Sequence, residues 1–483
     1  MTRLQLHPAA DRLRARTLRA VGVATGLAAL AASLAGGGST AAAAMAPNPG
    51  AGAAEGQPPR GPAFEPGEVL VRFRGEAAER AYDLRNRIGV REATRSLRRN
   101  PAVRWAAPNY IAHASGARWV PNDRGRKTFP EGGWQELQWH FLPCGSACDD
   151  DTGGSSESFG GIDAPRAWRN LIQLDRPGAR GVKVAVVDTG VAYRDRGKKF
   201  RRSPDLKRRQ FTAAKDYIDR DRLPLDENGH GTHVASTIGE RTDNGKFVTG
   251  LAYGAKLIPV RVLDKRGSGK ASQVAKGIRW AYRHGADVIN LSLEFPRAAV
   301  KDCAAVPSVC AAIAKAHAKG AVVVGAAGNP PGGARSTVAY PGLAPHVIAT
   351  GGTTERGCLA NYSNWGVGLD LVAPGGGRDT PMAGPHCDPA AEGRGISQLT
   401  LRKGVKGFNR FGYPNYKGTS MASAHVAGVA ALAWAALEER FGRAPTPGEV
   451  EARLKSTART DRGLRDSERY GAGLVDAAAA TGG

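Results

Sequence analysis

The chain has 483 residues and a formal charge of +24 at neutral pH, with an isoelectric point near 10.1. Its length would hold roughly two to four domains, or one large enzyme with smaller appendages, so a sizeable core is within reach. Arg is spread along the sequence rather than gathered in one stripe; the charge is therefore read as a compositional bias, and nucleic-acid binding is set aside.

Residues 1–46 open with Arg3, Arg12, Arg14, Arg16 and Arg19, pass through an Ala/Leu/Val/Gly run over 20–34, and end in small residues up to Ala46. A basic start, a short apolar stretch and a small-residue end predict a secretory signal, the run being too short and too Gly-rich to prefer the bilayer. No later stretch reads as a membrane span. The mature chain is expected to be secreted, extracellular or periplasmic, without stable membrane insertion.

All six Cys (Cys144, Cys148, Cys303, Cys310, Cys358 and Cys387) follow residue 143, and export permits disulfides. Six Cys allow fifteen pairings; the short-range set 144–148, 303–310 and 358–387 is preferred. Cys-x-x-Cys spacing for zinc is absent.

Residues 47–66 are a Pro/Gly/Ala linker without periodicity. Residues 67–118 read as a small unit of their own. Gly67-Glu68-Val69-Leu70-Val71-Arg72-Phe73 alternates as a strand, 77–87 and 93–99 read as helices, and the unit closes on Asn100-Pro101-Ala102-Val103-Arg104-Trp105-Ala106-Ala107-Pro108-Asn109-Tyr110-Ile111. No pair of central strands is evident between 88 and 95.

Residues 119–483 form the main domain. After a polar, Gly-rich start and an insertion-like loop at 149–156, strands are expected at 182–188, 256–262, 288–291, 322–327, 347–350 and 369–373. Helices are expected near 230–239, 272–284, 300–319 and 419–437. Near-continuous apolar strands separated by helices of ten or more residues predict a mostly parallel sheet covered on both faces, with the site beyond the strands' carboxyl ends.

Three stretches carry chemistry. Val184-Ala185-Val186-Val187-Asp188-Thr189-Gly190 ends an apolar strand in a carboxylate. Asn228-Gly229-His230-Gly231-Thr232-His233 puts a His at the head of a small-residue helix. Gly418-Thr419-Ser420-Met421-Ala422-Ser423 sets a hydroxyl on the first turn of a long Ala/Val helix, where backbone N–H groups are unpaired and the dipole is positive. Alone, Gly-Thr-Ser before a helix is equally an N-cap. Taken together, in the order Asp, His, Ser, the three stretches resemble the subtilisin-like serine proteases, from about residue 138 to the C-terminus.

The resemblance implies an α/β, subtilisin-like three-layer fold, preceded by a small α+β propeptide at 67–118. It implies a secreted serine endopeptidase in which Ser420 attacks, His230 takes its proton and Asp188 orients the imidazole. Asn329, in Ala326-Ala327-Gly328-Asn329, would be the oxyanion donor. Gly267-Ser268-Gly269 and Ser292-Leu293-Glu294 would flank a substrate bound as a strand. Glu294 and Ala339 stand where the family commonly has Gly; a carboxylate turned inward would favour Lys or Arg before the scissile bond, whereas one turned outward would only balance Arg297. The resemblance also implies a calcium loop with Asn244 as side-chain ligand and carbonyls from the alternate residues Thr242, Lys246 and Val248, with Gln138 and Asp205 as partners. Against this, Lys246 adds a positive charge and Asp243-Asn244-Gly245 is also an ordinary Asx turn. The enzyme would be a monomer acting on proteins or peptides, made as a self-processed zymogen with its own propeptide as intramolecular inhibitor.

Two rivals are weighed. A second Asp-Thr-Gly at Asp151 raises an aspartic protease, but Asp151 follows Cys148-Asp149-Asp150, which is no strand. A catalytically silent, peptide-binding scaffold of the same fold is the other.

Overall fold

The computed structural model describes residues 7–8, 64–84, 89–110, 119–126, 128–144, 157–330, 337–381, 387–461 and 463–482. Apart from His7–Pro8, the expected signal segment and the linker up to residue 63 lie outside the described residues, as do Cys148 and Asp151. The chain divides into two compact units, 1–117 and 118–483.

The first unit contains β1 (Phe64–Phe73), β2 (Arg80–Asp83), α1 (Val90–Arg98) and β3 (Val103–Tyr110). β1 lies between β2 and β3 and is antiparallel to both, while His7–Pro8 pairs with the outer edge of β2. Val69 and Val71, two residues apart on one face of β1, bury against Val90, Ala93 and Leu97, which the helical repeat places on one face of α1. The helix expected at 77–87 is corrected: 80–83 is a strand. Tyr82 and Leu84 are buried while Asp83 between them is exposed, the alternation of a strand, and 80–83 pairs with β1.

The second unit is built on seven parallel strands: β4 (Lys183–Asp188), β5 (Lys215–Asp216), β6 (Lys256–Arg261), β7 (Val288–Leu291), β8 (Val322–Ala326), β9 (Val347–Thr353) and β10 (Leu371–Pro374). They run in the spatial order β10–β9–β8–β7–β4–β6–β5. The strands are Val/Ile/Ala-rich because both faces are covered. Val184, Val186, Val288, Val322 and Val324 face α2 (Ala164–Gln173), α3 (His230–Gly239) and α6 (Thr419–Phe441). Their neighbours Ala185, Val187, Ile289 and Val323 face α4 (Ala271–Arg283) and α5 (Pro307–Ala318) on the other side. This is the three-layer α/β arrangement.

α6 runs under the middle of the sheet, against β7, β8, β9 and β10. It is apolar on every side and Ala/Gly-rich, so it packs close; a Cβ at Gly428 would come 2.9 Å from Leu251. By length and hydropathy it could cross a membrane, which corrects the expectation that no stretch past the N-terminus could, but 94% of its apolar window is buried in the core. α5 starts at Pro307 rather than near 300, since Pro lacks the N–H an interior position needs and suits a first turn. Cys303–Cys310 and Cys358–Cys387 are disulfide-bonded. Cys144 is also disulfide-bonded, and its expected partner lies outside the described residues. Between β10 and α6 two small antiparallel pairs form, β11 (Ile396–Ser397) with β14 (Asn415–Tyr416), and β12 (Thr400–Leu401) with β13 (Phe411–Gly412).

Candidate active site

The carboxyl ends of β4, β7 and β8 are neighbours, and the first turn of α6 comes up beside them. Asp188 is the last residue of β4, Ser292 follows β7, and Asn329 stands three residues past β8. Adjacent parallel strands deliver these side chains to one rim.

Asp188 is fully buried, and its Oδ1 lies 2.7 Å from His230 Nδ1 and accepts the Thr189 N–H at 2.7 Å. His230 opens α3 after Gly229, whose φ of +101° turns the chain into the helix. Its side chain keeps 24% exposure, so the ring edge away from Asp188 is reachable. Burial pushes the imidazole pKa down, but the Asp188 charge and hydrogen bond, helped by Asp226, raise it above its ordinary value.

Ser420 is the second residue of α6. Its hydroxyl donates to the Ser292 carbonyl at 3.3 Å, and among the described residues it makes no hydrogen bond to His230. Ser292 Oγ donates in turn to the Ser420 carbonyl at 2.8 Å and meets Ser423 Oγ at 2.8 Å, which ties the strand end to the helix start. Asn329 Oδ1 accepts from Thr419 N at 2.7 Å and from Thr419 Oγ1 at 3.1 Å. Its Nδ2 is thereby turned away from Thr419 and has no protein partner among the described residues.

Glu294 is exposed, and its carboxylate is turned toward Asn329. Both carboxylate oxygens accept the Asn329 N–H at 3.1 Å, and no ion pair to Arg297 forms among the described residues. A Cβ on Gly328, at φ +108°, would strike Glu294 Oε2 at 2.5 Å and Ala339 Cβ at 3.0 Å, so the carboxylate tip occupies the space above Gly328, next to Ala339. Desolvation of the carboxylate raises its pKa, with the Asn329 N–H pulling the other way. Leu293 and Ala339 are buried in the wall. Gly267-Ser268-Gly269 lies in an exposed turn closed by Asp264, which accepts from Arg266 N and Ser268 N, and the turn is tied to the segment before His230 by Asn228 Nδ2 donating to Lys265 O at 3.0 Å.

Sequence reasoning missed Asp226. Its Oδ1 accepts from Thr189 Oγ1, Asn228 N and Gly229 N at 3.0, 2.8 and 2.9 Å, and its Oδ2 accepts from Thr232 N at 3.0 Å and Thr232 Oγ1 at 2.6 Å. Asp226 thereby clamps the start of α3 and holds His230 in place; it lies three residues before the cap residue Gly229, where no local capping rule points.

The expected calcium ligands divide. Asp205 Oδ2 and Asn244 Oδ1 are buried without partners, as is Oε1 of Glu240, which was not among the expected ligands; Val248 is buried while the Lys246 side chain is exposed. The Thr242 hydroxyl donates to the Gly250 carbonyl at 3.2 Å, closing the loop across its ends. Gln138 is corrected as a side-chain ligand: its Oε1 takes Thr249 N at 2.8 Å and Thr249 Oγ1 at 3.0 Å, and its Nε2 donates to Thr249 O and Gln398 Oε1. The loop is gripped from outside by Asp123, which accepts from Asp243 N at 2.7 Å and Asn244 N at 3.1 Å. Burial pushes the Asp123 carboxyl up to about 7, Asp205 up to about 8, and Glu240 well above its ordinary value.

The chain is similar to a group of known proteins. Residues 179–473 match the family described as the subtilase family. A thermophilic serine proteinase of Bacillus sp. (strain AK1) is 32% identical over 395 residues, covering 77% of this chain and 78% of that protein. Subtilisin DY of Bacillus licheniformis is 34% identical over 318 residues, 64% of this chain and 96% of its own. An extracellular protease of Xanthomonas campestris is 33% identical over 443 residues, 86% of this chain and 64% of its own. A solved protease structure from Pseudoalteromonas arctica superposes with a TM-score of 0.55 at 31% identity, covering 75% of this chain and 98% of its own.

Proposed function

The chain belongs to the subtilase family and is a serine endopeptidase, and we propose that Asp188, His230 and Ser420 are its catalytic triad. The Asp188–His230 hydrogen bond of 2.7 Å, at the rim where Ser420 begins α6, is the observation that carries this reading. With Nδ1–H donated to Asp188, the His230 Nε2 lone pair is free to take the Ser420 proton as Oγ adds to the scissile carbonyl. The negative oxygen formed would be met by Asn329 Nδ2 and the Ser420 backbone N–H; a donor of this kind contributes roughly 10²–10³ in rate, a scale taken from subtilisin. His230 then passes the proton to the leaving nitrogen as the C–N bond breaks, and water repeats the sequence on the acyl-enzyme. The Ser420 hydroxyl would leave the Ser292 carbonyl for His230 when substrate enters, as catalytic hydrogen bonds often tighten only in the complex.

A fluorophosphonate probe tests this: it should label the processed protein and not the Ser420→Ala variant, and an unlabelled wild type would remove the assignment.

Substrate would lie as a strand between Gly267-Ser268-Gly269 and Ser292-Leu293-Glu294. The Glu294 carboxylate, turned toward Asn329 beside Ala339, supports a preference for Lys or Arg before the scissile bond, since its charge would attract a cationic side chain there. Calcium fits part of its expected loop: the orphaned buried oxygens of Asp205, Asn244 and Glu240 are hard donors suited to that ion. Arg241 stands 3.8 Å from Asp205 Oδ1; bound calcium would add positive charge at the oxygens that remain bare.

We also propose that the enzyme is secreted and cuts itself free of residues 67–118. Trp119 packs edge-on against Trp168 at 5.8 Å, and Asp123 holds the 243–244 loop, so residues from 119 onward belong to the catalytic unit. Self-cleavage is therefore expected before Trp119. An intact-mass measurement on Ser420→Ala should find the precursor uncut.

A further inference from the structure

The sequence hides a charge cluster that the fold assembles. The 402–410 segment between β12 and β13 carries Arg402, Lys403, Lys406 and Arg410, and no acidic residue occurs from 396 to 417. It packs against the 196–202 loop: Arg201 N donates to Phe408 O at 3.0 Å, Phe408 N to Lys199 O at 2.8 Å, and Asn409 Nδ2 to Lys198 O at 3.1 Å. Phe200 and Phe408 stack at 5.3 Å beneath them. Lys198, Arg201, Arg402, Lys403, Lys406 and Arg410 are all exposed, and none has a carboxylate within ion-pair distance among the described residues. The nearby acids are already engaged: Glu227 pairs with Lys199 and Arg261, and Asp195 accepts from Arg202 N.

This surface is continuous with the site. Thr400 Oγ1 donates to Gly229 O at 2.5 Å, immediately before His230. Lys403 lies over the Tyr416 ring at 5.2 Å, and that ring stacks on His233 at 4.5 Å. In the serine-protease reading, on which this step rests, His230 hands its proton to the leaving nitrogen. The chain beyond the scissile bond therefore passes on the side of His230, and the basic hairpin stands there.

We infer that the hairpin and the 196–202 loop form a docking surface for an acidic polypeptide segment, rich in Asp and Glu, lying downstream of the scissile bond. Six unpaired cations at the exit of a cleft that holds a polypeptide attract such a segment by charge and raise its local concentration. A segment of the enzyme's own is a poor occupant: residues 67–118 hold eleven Arg against five Asp and Glu.

The test uses two quenched peptides, identical through the scissile bond and the residues next to it. One continues in a Gly/Ser tail, the other in an Asp/Glu tail. Wild-type processed enzyme should show kcat/KM roughly tenfold or more higher for the acidic tail at low ionic strength. That advantage should vanish in concentrated salt, where screening acts within about 3 Å. The variant Arg402→Glu/Lys406→Glu/Arg410→Glu should bring the acidic-to-neutral ratio to one or below, whereas reversing Lys276, Lys301 and Lys319 on remote surfaces should leave it as in wild type. Equal rates for the two peptides, or a ratio that survives the hairpin reversal, overturns the inference. So does a hairpin that binds a sulfated polysaccharide while the two peptides are cut alike. Failure to cut either peptide would overturn the protease reading itself.

Discussion

Two groups of buried acids stand on either side of α3 and solve the same problem differently. Asp226, before the helix, has both oxygens filled by five N–H and O–H donors from Thr189, Asn228, Gly229 and Thr232. Asp205, Glu240 and Asp123, near the far end, crowd their charges together and leave Asp205 Oδ2 and Glu240 Oε1 bare. Burial raises the pKa in both places, yet only the first is complete in protein atoms. A buried carboxylate needs either a full set of donors or a cation. The first arrangement positions His230; the second leaves buried oxygens bare, and the calcium proposal rests on them.

The contrast predicts opposite outcomes for one kind of substitution. Asp226→Ala should be the most damaging, stranding buried donors and loosening the start of α3; a loss of about 3 kcal/mol in denaturant melts is expected, together with reduced kcat. A near-wild-type variant would mean that the clamp is not needed. Calcium removal comes next. A ligand held only by the folded state stabilises by about 2.7 kcal/mol at a hundredfold excess over its Kd, so chelator should lower Tm by several degrees. Superimposed melts with and without chelator would remove the calcium site.

Asp205→Asn should have a smaller effect, and one that depends on the medium. In chelator it replaces a buried carboxyl that is costly to ionise with a neutral amide and should hold or raise Tm; with calcium it should lose the stabilisation seen in wild type. Loss of stability in both media would make Asp205 a member of an ordinary network like that of Asp226.

The finest distinction comes from pH. Asp205 near 8 and Asp123 near 7 are protonated when folded but ionised when unfolded, above about 4. Without calcium, stability should therefore fall as pH rises from about 4 to about 8, because unfolding releases protons. Calcium binding requires the carboxylates ionised, so adding it should abolish that fall. Buried histidines act in the opposite sense. His425 and His233 are pushed down, to about 4 and about 3, by burial, and His140, which shares a 2.8 Å hydrogen bond with His425, is also lowered. The unfolded chain takes up protons below about 6.5, so stability should fall as pH drops from there toward 3. Calcium should not restore this acid limb. A calcium-independent alkaline limb would sink the distinction drawn here.

Strand β4 and the positions around Asp188, His230 and Ser420 were legible because they are local signals: a Val/Ala run that must be buried on both faces, glycines where the chain turns tightly, and small residues where a helix packs close. The errors were local too. Residues 77–87 have helix-tolerant composition, and only pairing with β1 makes 80–83 extended. Gln138 was assigned a metal by its resemblance, but Thr249 reached its oxygen first.

The sequence by itself determined the parallel α/β class and the Asp, His, Ser order, since strand burial, turn chemistry and chain order are written along one dimension. Tertiary structure alone decided that Glu294 turns toward Asn329, that Asp226 rather than a nearer residue clamps α3, and that lysines and arginines about 200 residues apart in sequence meet beside His230. Charge and hydrogen bonding act through space, at a few ångströms, so no reading along the chain can tell which of many like residues will become neighbours.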